Sequence, residues 1–75
     1  MEKLLEILEE IRDDVDFASC TDLVDGKVLN SFEVLEIVSE IDDAFDIVIP
    51  AGDVVAENFN SAEAMYRMIQ RLGGK

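Results

Sequence analysis

Apolar residues recur along this chain at helical spacing. In residues 1–15, Leu4, Leu8, Ile11 and Val15 form one stripe, Leu5 and Ile7 flank it, and Glu2, Glu6, Glu9 and Glu10 lie elsewhere. That pattern, in good helix formers, predicts an amphipathic helix. The helix is expected to end near Asp13-Asp14-Val15-Asp16, because negative charge opposes the dipole at a helix C-terminus. No period holds through residues 16–29, where Thr21-Asp22 and Asp25-Gly26 are turn signals. Phe17, Leu23, Val24, Val28 and Leu29 are too many apolar side chains for a solvated linker. They predict a long loop pinned to the core, with a short helical turn near 21–24.

A second helix is predicted over 31–45, with Val34, Val38, Ile41 and Phe45 as its buried stripe at i, i+4, i+7 and i+11. Asn30 is a favourable N-cap, Glu33 completes a capping box, and Leu29 with Val34 makes a hydrophobic staple. Pro50 biases Ile49 to extended backbone, so Ile47-Val48-Ile49 is expected to plug the core as a loop. Asp53 is expected to cap a short helix over 54–57. Phe59-Asn60-Ser61-Ala62-Glu63 repeats the local logic of residues 29–33. It predicts Asn60 as cap and Glu63 as box partner of a last helix over 61–72, which buries Ala62, Met65, Ile69 and Leu72. Gly73-Gly74 ends that helix. Phe17, Phe45, Phe59, Met65, Tyr66 and Met68 are expected to pack in or beside the core. The architecture predicted is all-α: a four-helix bundle with three long helices, one short helix and a long first loop.

The 75 residues make one domain, spanning 1–75, and so short a chain leaves little room for a deep enzyme pocket. The net charge of −12 changes the picture more. It opposes binding to nucleic-acid phosphate or an anionic membrane and favours partners with basic surfaces. A single cysteine and no histidine leave no disulfide and no zinc site. Cys20 reads as an incidental loop thiol. Asp13, Asp14 and Asp16 lack the spacing of a calcium loop. The acidic start Met1-Glu2-Lys3 is unlike a targeting peptide, and no apolar run has the length of a membrane span. A cytoplasmic monomer without a metal is expected.

The candidate chemistry lies at the head of the second helix. Glu33, Glu36, Glu40 and Asp43 recur at i, i+3, i+7 and i+10, and between Ser31 and Asp46 there are six carboxylates and no Lys or Arg. Ser31 opens this acidic helix. A phosphodiester formed there would adjoin free backbone N–H groups and the positive end of the dipole. With no histidine, the chain offers Ser31 no general base, and no nucleophile–base pair converges. The protein is therefore expected not to be an enzyme, and its catalytic residues are none. Ser61 has the same local pattern, but its helix carries Arg67 and Arg71 and no acidic stripe.

These residues give the chain a resemblance to the acyl and peptidyl carrier proteins of the phosphopantetheine-binding family. The family's Asp-Ser-Leu is matched by Asn30-Ser31-Phe32. Its acidic-aromatic-acidic helix end, followed by a short apolar run and Pro, is matched by Asp42-Asp43-Ala44-Phe45-Asp46-Ile47-Val48-Ile49-Pro50. The spacing is kept over residues 23–72. The resemblance implies an acyl-carrier-type bundle in which Ser31 bears 4′-phosphopantetheine, taken from coenzyme A by a phosphopantetheinyl transferase. The thiol of that arm would hold an acyl or aminoacyl group as a thioester. Phe32, Glu33, Glu36, Glu40 and Asp43 would form the partner-binding face for an activating ligase and a downstream acyltransferase or synthase with basic docking patches.

Two departures bear on that reading. Asn30 keeps the cap but lacks the family's aspartate charge, which puts efficient modification in question, and Phe32 replaces leucine. The family serves fatty-acid, polyketide and peptide synthesis and D-alanine delivery. Phe32 and Glu57-Asn58-Phe59-Asn60-Ser61 resemble the discrete bacterial carriers served by an adenylating ligase more than the housekeeping fatty-acid carrier. The rival expectation is an acidic helical adaptor with an unmodified serine.

Overall fold

The computed structural model describes residues 2–74, so Met1 of the predicted first helix lies outside the described residues. Four α-helices follow in chain order: α1 (Glu2–Ile11), α2 (Ser31–Phe45), α3 (Ala56–Phe59) and α4 (Ala62–Arg71). A single 3-10 turn, Ala51–Asp53, precedes α3. The all-helical bundle and the long first loop agree with expectation. The element bounds differ in informative ways.

α1 stops at Ile11, short of the predicted end near Asp13-Asp14-Val15-Asp16, and buries Leu4, Ile7 and Leu8. Ile7, a flanking position in the predicted pattern, lies in the core, while Ile11 and Val15 are only partly buried. Beyond Ile11 the acids Asp13 and Asp14 meet the negative end of the dipole, and the Arg12 side chain turns away to bind Asp14 and Glu33.

α2 begins where its capping box places it. Asn30 Oδ1 accepts the Glu33 N–H at 2.9 Å, and Glu33 Oε1 accepts the Asn30 N–H at 3.0 Å. The helix ends on Asp46 in the left-handed region, φ 54°, which Asp tolerates better than most residues. Asp42 Oδ1 accepts the Ile49 N–H at 3.0 Å and so ties the following loop back to the helix. The buried stripe is Ile37, Ile41 and Phe45, with Val34 and Val38 half-buried beside it. This corrects the predicted phase. Apolar residues at 34, 35, 37, 38 and 41 permit more than one stripe, and packing against α1 selects the one centred on Ile37 and Ile41. Ile49 is buried, whereas Val48 is 80% exposed, so only part of the predicted plug enters the core.

Both ends of α1 are clipped to α2 by cations. Lys3 Nζ donates to the Ala44 carbonyl and lies 5.1 Å from the Phe45 ring centroid. Arg12 reaches Glu33 and the Val28 carbonyl at the other end. The two helices therefore run antiparallel.

The first loop is held from within and from across the bundle. Phe17, Leu23 and Leu29 are buried, and the Leu29 N–H donates to the Leu23 carbonyl at 2.8 Å. The predicted helical turn at 21–24 is instead a turn at 22–27. It is closed by the Gly26 N–H on the Asp22 carbonyl and the Lys27 N–H on the Val24 carbonyl. Gly26 is required there, because a Cβ would meet the Asp22 carbonyl oxygen at 2.7 Å. Asn60 supplies the cross-link. Its Oδ1 accepts the Val24 and Asp25 N–H groups at 3.0 and 2.9 Å, and its carbonyl accepts the Leu23 N–H at 2.9 Å.

Asn60 is consequently not the cap of α4. That role belongs to Ser61, whose Oγ accepts the Ala64 N–H at 3.0 Å. The predicted box with Glu63 is thus replaced by a serine cap one residue later. Asp53 likewise does not cap α3. It closes the 3-10 turn, accepts Asn58 Nδ2 at its carbonyl and binds Arg71 at 2.8 Å through Oδ1, while α3 itself starts two residues later than predicted, at Ala56. α4 buries Ala62, Met65, Met68 and Ile69. Its end is closed by Gly73 at φ 86° and by the Gly74 N–H on the Ile69 carbonyl at 2.8 Å. Among the described residues the core is wholly apolar.

Candidate functional site: the head of the second helix

The capping box fixes what Ser31 presents. Because Asn30 is the cap, Ser31 is the first helical residue, and its side chain has no capping duty. Ser31 is exposed, and its hydroxyl has no hydrogen-bond partner among the described residues. The N–H groups of Glu33 and Val34 are taken by Asn30 Oδ1 and the Asn30 carbonyl, at 2.9 and 3.1 Å. Those of Ser31 and Phe32, at the first turn, have no acceptor among the described residues and lie at the positive end of a 15-residue helix.

Beside the serine opens a groove of about 620 Å³ between the first loop, α2 and α3. Its walls include Leu29, Val34, Leu35, Val54, Val55 and Phe59, and its polar rim is Lys27, Asn30 and Ser31. Among the described residues, Lys27 is the one cation lining it. It sits in the turn at φ 60°, a left-handed conformation uncommon outside glycine, and its side chain has no ion-pair partner among the described residues. Nothing in the local sequence marks Lys27. Its place on the rim depends on the loop turn, which no local pattern specified.

The acidic face is smaller than the spacing implied. Glu36, Glu40 and Asp43 are exposed, and with Phe32 they share an arc of about 80° on α2. Phe32 is 79% exposed, and Leu35, on the groove side, is 59% exposed. Glu33 is set apart from this face. Its side chain is only 14% exposed and binds Arg12 Nη1 at 3.0 Å. The Asn30 N–H, more than Arg12, holds the Glu33 carboxyl below the usual range, against the opposing effect of burial. The expected partner residue is thus engaged inside the protein, where it holds the start of α2.

Arg12 is shared. Its Nε and Nη2 donate to Asp14 at 2.8 and 3.0 Å, while Nη1 donates to Glu33 and to the Val28 carbonyl. The bond to Asp14 is the foremost reason that the guanidinium is raised further above its already high pKa, and the same bond holds the Asp14 carboxyl low. Among the described residues, no group of three or more His, Cys, Asp or Glu side chains is placed to hold a metal ion, and no helix is long and apolar enough to cross a membrane.

A small helical bundle that displays an unencumbered serine at the head of an acidic second helix, beside an apolar groove, has the form of a carrier protein. The comparisons agree. The D-alanyl carrier protein of Streptococcus suis (strain 05ZYH33) is 34% identical over 72 residues, 95% of this chain and 91% of the relative. Those of Streptococcus sanguinis (strain SK36) and Streptococcus mutans serotype c are each 30% identical over 71 residues, 93% of this chain and 90% of the relative. The chain belongs to the D-alanyl carrier protein family. Neither a family model nor a solved structure matches it.

Proposed function

We propose that this carrier bears 4′-phosphopantetheine on Ser31 and takes an aminoacyl cargo, D-alanine by the names of its relatives, as a thioester. The observation that carries the reading is the exposed Ser31 hydroxyl, free of hydrogen bonds among the described residues, in a chain of this family. The residues around it fit the group. The first-turn N–H groups and Lys27 suit a phosphodiester, and the walls of the groove are apolar beside it. When bound, the group supplies the terminal thiol that the chain otherwise lacks at this place.

The protein's own part is presentation rather than catalysis. Ser31 has no histidine in the chain to act as its base, so a phosphopantetheinyl transferase must remove its proton. Phe32, Glu36, Glu40 and Asp43 then offer one apolar contact and a negative field to basic patches on that transferase, on an aminoacyl-activating ligase and on a downstream acyltransferase. Such a field acts mainly on encounter rate and specificity.

The test is intact mass before and after incubation with coenzyme A, Mg²⁺ and a broad-specificity phosphopantetheinyl transferase, for wild type, Ser31→Ala and Ser61→Ala. One added phosphopantetheine, absent only from Ser31→Ala, is the expected result. Subsequent loading by an activating ligase with D-alanine, against a fatty acid with an acyl ligase, then decides the cargo. No addition to wild type overturns the reading and leaves an acidic adaptor whose serine is unmodified.

A further inference from the structure

We infer that Arg12 is a positioning residue for Ser31, holding the serine in the orientation that the modifying transferase requires; this rests on the proposed modification of Ser31. Arg12 follows α1 directly, yet its guanidinium joins three separate parts of the chain. Nη1 donates to the Val28 carbonyl at 3.0 Å, in the first loop, and to Glu33 Oε1 and Oε2 at 3.1 and 3.0 Å, in the first turn of α2. Nε and Nη2 grip both oxygens of Asp14 at 2.8 and 3.0 Å, which fixes the plane of the fork. Glu33 Oε1 in turn accepts the Asn30 N–H at 3.0 Å. Asn30 is the residue before Ser31. A continuous polar relay therefore runs from the end of α1 through Arg12 and Glu33 to the Leu29–Asn30 peptide, one residue before the serine.

Three features make this relay more than a clip between helices. First, the Ser31 side chain makes no bond among the described residues, so its place is set by the backbone around it, and among those residues Arg12 is the one cation bonded to that turn. Second, the Glu33 arm is largely shielded from water, its side chain 14% exposed against 65% for Asp14, so the bond that faces the serine is the more directional one. Third, the task needs Arg. A guanidinium can serve the carbonyl and two carboxylates in one plane, whereas an ammonium keeps the charge but lacks the fork. Transfer to a hydroxyl is sensitive to misplacement of the attacking atom, and an error of about 1 Å can cost about 100-fold.

Steady-state kinetics of phosphopantetheine transfer from coenzyme A test this in wild type, Arg12→Lys, Glu33→Gln and the control Arg71→Lys, whose ion pair with Asp53 lies elsewhere. Arg12→Lys keeps the net charge and leaves the acidic docking face unaltered. It is expected to lower kcat for transfer about 10-fold with KM for the carrier nearly unchanged. Glu33→Gln removes the carboxylate charge and the second oxygen that Nη1 holds and should lower kcat in the same direction, which covers failure of the first variant to fold. Arg71→Lys should leave kcat as in wild type. In the unmodified protein, Arg12→Lys should also speed hydrogen exchange at the Asn30 amide. Wild-type kcat in Arg12→Lys, or an equal loss in Arg71→Lys, overturns the positioning role alone. No transfer to wild type overturns the Ser31 reading, and this inference with it.

Discussion

Ser61 Oγ accepts the Ala64 N–H at 3.0 Å, whereas the hydroxyl of Ser31, in a matching Asn-Ser-x-Glu segment, makes no bond among the described residues. One residue of register separates them. Asn30 caps α2 and leaves Ser31 inside the helix, while Asn60 is drawn to the first loop and leaves Ser61 to cap α4. The two serines should therefore respond oppositely to the same substitution. Ser61→Ala is expected to lower unfolding free energy by about 1 kcal/mol and leave phosphopantetheine uptake intact. Ser31→Ala should be within about 0.5 kcal/mol of wild type and abolish uptake. Urea unfolding and intact mass on the same two variants check both halves.

Asn60 bonds the Val24 and Asp25 N–H groups through one oxygen and donates Nδ2 to Asp25 Oδ2 at 3.0 Å. Truncating it to alanine leaves two loop N–H groups without an acceptor and frees the turn that carries Lys27 to the groove rim. A loss of about 1–3 kcal/mol is expected, with faster amide exchange at Val24 and Asp25. Unchanged exchange at those amides would show that the cross-link does not hold the loop.

These two serines also mark the boundary of what sequence makes legible. The box at Asn30 and Glu33 closes over three residues, so both partners are visible in one short window. Asn60 has the same local signature, but its side chain is captured 35 and 36 residues away, and no local pattern records that competition. The phase of α2 was ambiguous for a related reason. Val34, Val38, Ile37 and Ile41 all suit a buried stripe, and only the placement of α1 decides among them. Ser31 stands out because it follows a local cap and opens an acidic helix, and its proposed role comes from the family resemblance, since Ser61 shares the same local motif. The withdrawal of Glu33 from the acidic face was not legible, since it depends on Arg12, distant in sequence but adjacent through the antiparallel packing of α1 on α2.

Asn30→Asp keeps an oxygen to accept the Glu33 N–H and adds a charge at the positive end of the helix dipole. Stability should hold within about 0.5 kcal/mol, and the initial rate of phosphopantetheine transfer should rise, because the added carboxylate restores the charge that the resemblance associates with efficient modification. Asn30→Ala removes the acceptor and should cost about 1 kcal/mol. A transfer rate in Asn30→Asp equal to wild type would mean that the asparagine does not limit modification.

Reversing charge on the exposed face separates folding from recognition. In a chain of net charge −12, Glu36→Lys and Glu40→Lys relieve repulsion without disturbing a bond, so stability should be unchanged or slightly higher. Association with a basic partner should slow, chiefly through its on-rate, and become less sensitive to salt. Stopped-flow binding to the transferase at two ionic strengths distinguishes this from a solvated face with no role, for which neither rate nor salt dependence would move.

Glu33 gives the fold a defined acid response. Its folded pKa lies below the ordinary 4.5 because the Asn30 N–H, and after it Arg12, favour the carboxylate over the acid, outweighing partial burial. A depressed folded pKa means that the charged form is preferred in the folded state. The resulting stability is fully present above 4.5 and is lost as pH falls through the depressed value. Glu33→Gln lacks that contribution at every pH while retaining an oxygen for the Asn30 N–H. The stability gap between wild type and Glu33→Gln should therefore be constant above about pH 5 and narrow steadily below it. Every other residue is the same in the two proteins, so the difference isolates Glu33. Urea unfolding of both at about pH 7, 5, 4 and 3 reads it directly. A gap that persists undiminished at the lowest pH would assign the effect to side-chain shape rather than to the carboxylate charge, and would remove the ion pair with Arg12 as a source of stability.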